Sequence, residues 1–229
     1  MRLLTMRSLC LAGVALVAGL AAGCGGSLFK SEMPAVQTYR LAPLAKETPA
    51  AAPFDALMLI VRPEVAPGLD TERIAVLRSD RRLDYFSGSQ WGAPLADVVQ
   101  QVMVESLQNT GRLRGVQRDL GNFRPDFVLQ LDVRAFQAEY TQSGAPLARV
   151  DLIATIGRLN DRRSVLSFAA AAAERADANT MAAVAAAFDK SLQSVTSAVL
   201  ANAIDYVGRA QGEPANPQPA PPSSPSAPQ

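Results

Sequence analysis

Near the start of the chain, one cysteine is the residue best suited to do chemistry. Cys24 ends the segment Leu20-Ala21-Ala22-Gly23-Cys24, which closes an apolar stretch from Leu9 to Ala22. Arg2 and Arg7 precede this stretch, which has the length of a signal-peptide core and is too short to span a membrane. Small residues suit the groove of a signal peptidase, and the thiol can take a diacylglycerol. We therefore expect cleavage before Cys24 and attachment of acyl chains such as palmitate to Cys24. Several acyl chains together anchor a protein stably to a membrane.

Two other fates of this segment stay open. Cleavage at an ordinary Ala-x-Ala site would leave a soluble protein with a free Cys24 thiol. Failure to cleave would leave a membrane anchor. Ala21 also stands where a lipid-modification signal favours leucine.

The composition excludes most enzyme chemistries. Histidine is absent, which removes the commonest general base and the commonest zinc ligand. Cys10 lies in the segment that cleavage removes, so we expect no disulfide and no Cys/His metal site. Lys and Arg total 22 against 21 for Asp and Glu, so we expect no broad basic face for nucleic acid. We predict a protein that is not an enzyme and has no cofactor and no metal.

The mature chain predicts one folded domain. We assign residues 1–23 to the signal peptide, 24–35 to a tether beside the lipid, and 36–207 to the domain. Prolines crowd the tail from 208 to 229, which is typical of a disordered, partly polyproline segment. That tail either is a solvated end without function or reaches a partner.

Alternating and continuous apolar runs predict about seven to eight strands. The predicted strands are 36–41, 56–61, 73–78, 83–86, 113–117, 126–140, 147–159 and 164–173. Alternation places five residues of one strand on a single face: Phe127, Leu129, Leu131, Val133 and Ala135. The alanines from 169 to 173 favour a helix by propensity, but the neighbouring strands favour a strand, which we choose.

Two helices complete the domain. Pro94 marks the start of the first helix and Gly111 its end. A second helix is predicted from Thr180 to about Val207. We expect an α+β fold in which both helices pack on one face of a largely antiparallel sheet, in the order ββββ-α-ββββ-α.

Three aromatic residues are candidate contacts. Trp91 is the sole tryptophan, and it either anchors the first helix to the core or forms an interface hot spot. Tyr85 and Phe86 lie nearby in sequence, so the three could form a small cluster that touches a partner or lines a lipid groove. The charged segment 78–84 is either a solvated hairpin or a docking patch.

Several landmarks resemble a known family in their order and spacing. They are Tyr39-Arg40-Leu41, Ala75-Val76-Leu77-Arg78, Leu83-Asp84-Tyr85-Phe86, Gln90-Trp91-Gly92-Ala93-Pro94-Leu95, Asp126-Phe127-Val128-Leu129 and Leu159-Asn160-Asp161. Together they resemble the ABC-type transport auxiliary lipoproteins, the paraquat-inducible protein C-like group, over about residues 36–207.

The resemblance implies a role in lipid transport. Such lipoproteins accompany systems that move phospholipids or other hydrophobic molecules between the two membranes of Gram-negative bacteria. The implied partners are a periplasmic protein with mammalian-cell-entry (MCE) domains, an ABC permease and an ATPase. The implied location is the periplasmic leaflet of the outer membrane, and Gly25 fits that sorting. A homo-oligomer that matches the MCE assembly is a further expectation.

Two other functions stay open at this stage. The protein could carry a lipid itself, which would require an apolar pocket between helix and sheet. Alternatively, it could help to assemble or plug an outer-membrane barrel. Copurified partners or retained lipid would separate these functions.

Overall fold

A computed structural model describes residues 35–46, 48, 51–121, 123–140, 144–159 and 161–212. Cys24, the expected signal peptide and residues 213–229 lie outside these ranges. The elements in chain order are β1 (Gln37–Tyr39), β2 (Phe54–Ile60), β3 (Glu64–Val65), β4 (Arg73–Leu77), β5 (Leu83–Trp91), α1 (Leu95–Asn109), β6 (Leu113–Gln117), β7 (Phe127–Glu139), β8 (Leu147–Arg158), β9 (Asp161–Arg175) and α2 (Met181–Gly212).

The expectation of a largely antiparallel sheet is wrong, because the sheet is mixed. β7 pairs antiparallel with β8, as do β8 with β9 and β4 with β5. Along the other edge of β7, however, β2, β3 and β4 all run parallel to it. β6 extends the sheet beside β2 and β1 extends it beside β5, both in parallel. Parallel neighbours need a long connection, and α1 lies within the connection from β2 to β6.

The observed order of elements has one more strand before α1 than the sequence predicts. β3 has only two residues and raises the number of strands before α1 to five. Its residues Glu64 and Val65 pair with Asp132 and Val133 in the middle of β7. A two-residue strand is too short to show a period in the sequence, so the patterning could not predict it.

A bulge in β7 changes which residues face the core. Val133 pairs with Leu152 and Ala135 with Asp151, so Arg134 has no partner on β8. The residues of β7 that face the helices therefore change from odd to even numbers after Val133, and Phe136 belongs to the hydrophobic cluster that contains Val133. Ala135 is also buried but does not belong to this cluster. The prediction that Ala135 shares a face with Val133 is wrong for this reason.

The helix signals in the sequence are confirmed at α1. Pro94 is the N-cap residue, with φ −50° and ψ 143°. Asp70, from the loop before β4, accepts a hydrogen bond from the backbone N–H of Ala96 at 3.2 Å. At the other end, Gly111 follows the helix with φ +59°, a conformation that glycine adopts without strain.

A charged contact fixes the start of α1 to the end of β2. The Arg62 guanidinium lies 2.8 Å from Asp97 and 3.1 Å from Asp70. The hydrogen bond to Asp97 is the main reason that the pKa of Arg62 is raised above its usual value. All three side chains are more than a third exposed, so the contact positions the loop more than it stabilises the fold.

Both helices pack on a single hydrophobic core. Even-numbered residues of β8 from Ala148 to Ile156 are buried in it, together with one face of each helix. α2 extends to Gly212, beyond the end near Val207 that the sequence predicts. Neither helix of the described chain is long and apolar enough to cross a membrane.

Candidate functional site

Two of the sequence landmarks meet beside α1. β1 lies parallel to the end of β5, with Thr38 opposite Gln90 and Tyr39 opposite Trp91. A Cβ atom added to Gly92 would lie 3.7 Å from Cγ of Arg40, so the two chain segments run in van der Waals contact. Between them and α1 lies a cavity of about 340 Å³, which we call the β1–α1 groove. Its lining comprises Thr38, Tyr39, Arg40, Leu41, Pro43, Gly92, Ala93, Val98, Gln101, Val102 and Glu105.

Hydrogen bonds to both helices hold one wall of this groove. The backbone N–H of Ala42 donates to a carboxylate oxygen of Asp189 on α2 at 2.7 Å. The N–H of Leu44 donates to Oγ of Ser106 on α1 at 2.9 Å, and Asn109 donates back to the Leu44 carbonyl at 2.7 Å. Because three bonds fix this short segment, the groove is formed before any partner arrives.

The side chains in the groove are suited to binding rather than to catalysis. Glu105 accepts a hydrogen bond from the amide of Gln101, one turn earlier on α1, at 2.8 Å. Arg40 is exposed and makes no ion pair within the described part of the chain. A groove lined by a guanidinium, a carboxylate and apolar side chains can recognise a peptide segment of mixed character. No cluster of metal-ligating side chains occurs among the described residues.

Trp91 is part of the core and not of the groove. Its side chain is 1% exposed and packs edge-on against Phe136 and Phe188, with ring centroids 5.8 and 5.3 Å away. Those two phenylalanines stack on each other at 5.1 Å. Of the two interpretations of Trp91, burial favours the core anchor, because a buried ring cannot touch a partner directly.

Tyr85 and Phe86 do not join Trp91. They lie on opposite faces of β5, because successive strand residues alternate. Tyr85 donates to the carbonyl of Gly68 at 2.8 Å, and the Arg73 guanidinium lies 3.9 Å from its ring centre. Phe86 packs against Tyr140 instead, at 6.5 Å. The aromatic cluster expected from the sequence is therefore divided among three places.

Charges in the β4–β5 hairpin pair with one another. Arg78 lies 3.0 Å from Asp84, and Arg82 lies 3.6 Å from the same carboxylate. A further contact joins Arg82 and Asp80 at 3.9 Å. Because these side chains are exposed and mutually neutralised, the hairpin fits the solvated interpretation better than a docking patch.

Sequence reasoning missed the residues that give the groove its chemistry. Gln101 and Glu105 lie beside the apolar stripe of α1, where a polar pair four residues apart is the usual pattern of a solvated helix face. Only the parallel pairing of β1 with β5 places Arg40 near α1, and no local pattern encodes that pairing.

A family model matches most of the domain. The model for the ABC-type transport auxiliary lipoprotein component aligns with residues 39–199. This range includes every groove residue except Thr38, the aromatic residues Trp91, Phe136 and Phe188 of the core, and every strand except the first two residues of β1. Among curated proteins, none matches the chain.

Solved structures share the fold. Protein XCC0632 from Xanthomonas campestris, of family DUF330, is 25% identical with a TM-score of 0.71, and the match covers 77% of this chain and 99% of that one. An uncharacterized protein is 11% identical with a TM-score of 0.57, covering 73% of this chain and 99% of its own. The second likeness concerns the fold alone.

Proposed function

Because the chain belongs to the family of ABC-type transport auxiliary lipoprotein components, we propose that it is a non-catalytic subunit of an MCE-type lipid transport system. In this proposal the system moves phospholipid or other hydrophobic molecules across the cell envelope. The partners are a periplasmic MCE-domain protein, an ABC permease and an ATPase. The observation that carries the proposal is the match of the family model over residues 39–199.

The membrane anchor is the acylated Cys24. We place the anchor in the periplasmic leaflet of the outer membrane, where the protein would receive the distal end of the MCE assembly.

The groove is the proposed docking site. Its preformed wall needs no ordering on binding, which lowers the entropic cost of association. Arg40, Gln101 and Glu105 line it with polar atoms, whereas a lipid carrier requires an enclosed apolar cavity. This lining supports the subunit role over the carrier role.

Affinity purification tests the transport role. Lipidated protein with a C-terminal tag is recovered from membranes in mild detergent, and its partners are identified by mass spectrometry. Recovery of an MCE-domain protein with its permease and ATPase is the expected result. Recovery of an outer-membrane barrel alone, or of bound lipid alone, would contradict it and favour the assembly or carrier role.

A pair of charge reversals tests the groove. Arg40→Glu changes a cation of the groove that makes no ion pair among the described residues, and Arg118→Glu makes the same change of charge at an exposed position outside the groove. We expect Arg40→Glu to lower recovery of the MCE protein at least tenfold and Arg118→Glu to leave it unchanged. Equal recovery with both variants would place the docking site elsewhere while leaving the transport role standing.

A further inference from the structure

Gly92 lines the β1–α1 groove at a position where the fold itself does not require glycine. Its φ is not positive, so its backbone does not need the freedom of glycine. A Cβ atom there would lie 3.7 Å from Cγ of Arg40 and 3.8 Å from Cγ2 of Thr38, which is ordinary van der Waals contact. At Gly111, by contrast, φ is +59°, so the backbone accounts for the glycine.

The missing side chain leaves the main chain accessible from the groove. Gly92 is exposed, and glycine loses more conformational freedom on folding than alanine does. Neither the backbone angle nor crowding within the chain offsets this cost. A glycine at such a position allows another main chain to approach closely, because no Cβ atom stands between them.

Opposite charges stand on the two walls of the groove. Arg40 lies on the β1 wall, exposed and without an ion pair among the described residues. Glu105 lies on the α1 wall, where the amide of Gln101 donates to its carboxylate at 2.8 Å and orients it. No ion pair joins Arg40 to Glu105, so both charges are available to a molecule that enters the groove.

We propose that an extended segment of the partner protein crosses the groove with its main chain over Gly92, an acidic side chain towards Arg40 and a basic side chain towards Glu105. This inference rests on the proposed function, in which the groove is the docking site. Complementary charges on the two walls would set the direction and register of the segment, which is how charge gives specificity.

The wall charges favour this occupant over two others. The C-terminal tail of the chain offers no match, because residues 214–229 contain no acidic and no basic side chain. The acyl chains of a lipid need an enclosed apolar site, whereas Thr38, Arg40, Gln101 and Glu105 place polar groups along this groove. A protein segment can supply both charges together with a main chain thin enough to pass over a glycine.

A graded series at Gly92 tests the close approach. Gly92→Ala and Gly92→Leu are made in the full-length lipidated protein. Gly212→Ala and Gly212→Leu are the controls, because Gly212 lies outside the groove, has no positive φ and has open space around it. Recovery of the MCE-domain protein is measured by affinity purification from membranes, and stability by urea unfolding.

We expect Gly92→Ala to lower recovery several-fold and Gly92→Leu to lower it about tenfold or more, without a lower urea midpoint. The Gly212 variants should match the wild type. If leucine destabilises the domain, alanine decides the test, because its Cβ makes only ordinary contacts. Equal recovery from the Gly92 and Gly212 variants would overturn this inference and leave the transport role standing. A wild type that recovers no MCE-domain protein would refute the proposed function as well.

A photo-cross-linker tests the charges of the segment. p-Benzoylphenylalanine replaces Val98 in the groove or, as the control, the exposed Leu120 outside it, and membranes are irradiated before purification. We expect only the Val98 position to cross-link the MCE-domain protein, at a segment with an acidic and a basic residue. Reversing those two charges in the partner should restore recovery by the double variant Arg40→Glu, Glu105→Lys. A cross-link to phospholipid or to residues 213–229, a segment without both charges, or no restoration would overturn the inference.

Discussion

The decisive stability prediction concerns Trp91. The residue ends β5, just before α1, and its ring fits between Phe136 of β7 and Phe188 of α2. It therefore joins the sheet to the long helix at the centre of the core. Trp91→Ala removes the largest buried side chain of the domain and both edge-to-face contacts.

The magnitude follows from burial. Truncating a fully buried aromatic residue to alanine costs about 3–5 kcal/mol, of which each lost ring pair contributes about 0.5–1.5 kcal/mol. A domain of this kind has a total stability of roughly 5–15 kcal/mol. With a denaturant slope of about 2 kcal/mol per molar urea, the midpoint of unfolding should fall by roughly 2 M.

Urea unfolding of the lipidated protein in detergent, followed by far-UV circular dichroism, measures this change. Phe123→Ala is the matched control, because Phe123 is 73% exposed and its loss should cost under about 0.5 kcal/mol. A Trp91→Ala variant destabilised by less than about 1 kcal/mol would refute the core role. If that stable variant also lost its transport partners, Trp91 would instead be an interface residue.

Three further stability changes can be measured in the same urea experiment. Gly68→Ala should lower the free energy of unfolding more than Gly144→Ala does. Gly68 has φ +84° and its new Cβ would lie 2.9 Å from the Leu83 side chain, whereas Gly144 has φ +101° and open space around it. Equal losses of stability would mean that backbone strain alone matters. Gln100→Leu should cost about 1–3 kcal/mol, because the buried amide donates to the carbonyls of residues 60 and 118; a neutral effect would show that water replaces it. Arg158→Ala should cost about 0.5–1.5 kcal/mol, because the Arg158 guanidinium donates to a carbonyl in the last turn of α2. Unchanged protection of the backbone amides in that turn, measured by hydrogen exchange, would contradict this reasoning.

Local patterns were sufficient to predict several elements. Pro94 and Gly111 bound α1 because cap conformations depend on the residues themselves. Alternation predicted β7 and β8, and the neighbouring strands predicted β9. The alanines from 169 to 173 lie in β9 despite their helix propensity, because pairing with β8 satisfies their backbone groups. Membership in the transport family was also predicted from the order of short landmarks, and the family model confirms it.

The sequence by itself thus determined the α+β class, most element positions and the family, since each depends on residue type or short spacing. Only the tertiary structure decided the mixed sheet, the β7 bulge and the place of Trp91 in the core. These depend on which distant segments become neighbours, and a strand's pattern records only which face is buried. The β1–α1 groove was likewise decided only by the tertiary structure. Arg40 and Glu105 line the same groove because β1 pairs in parallel with β5, and neither residue encodes that pairing.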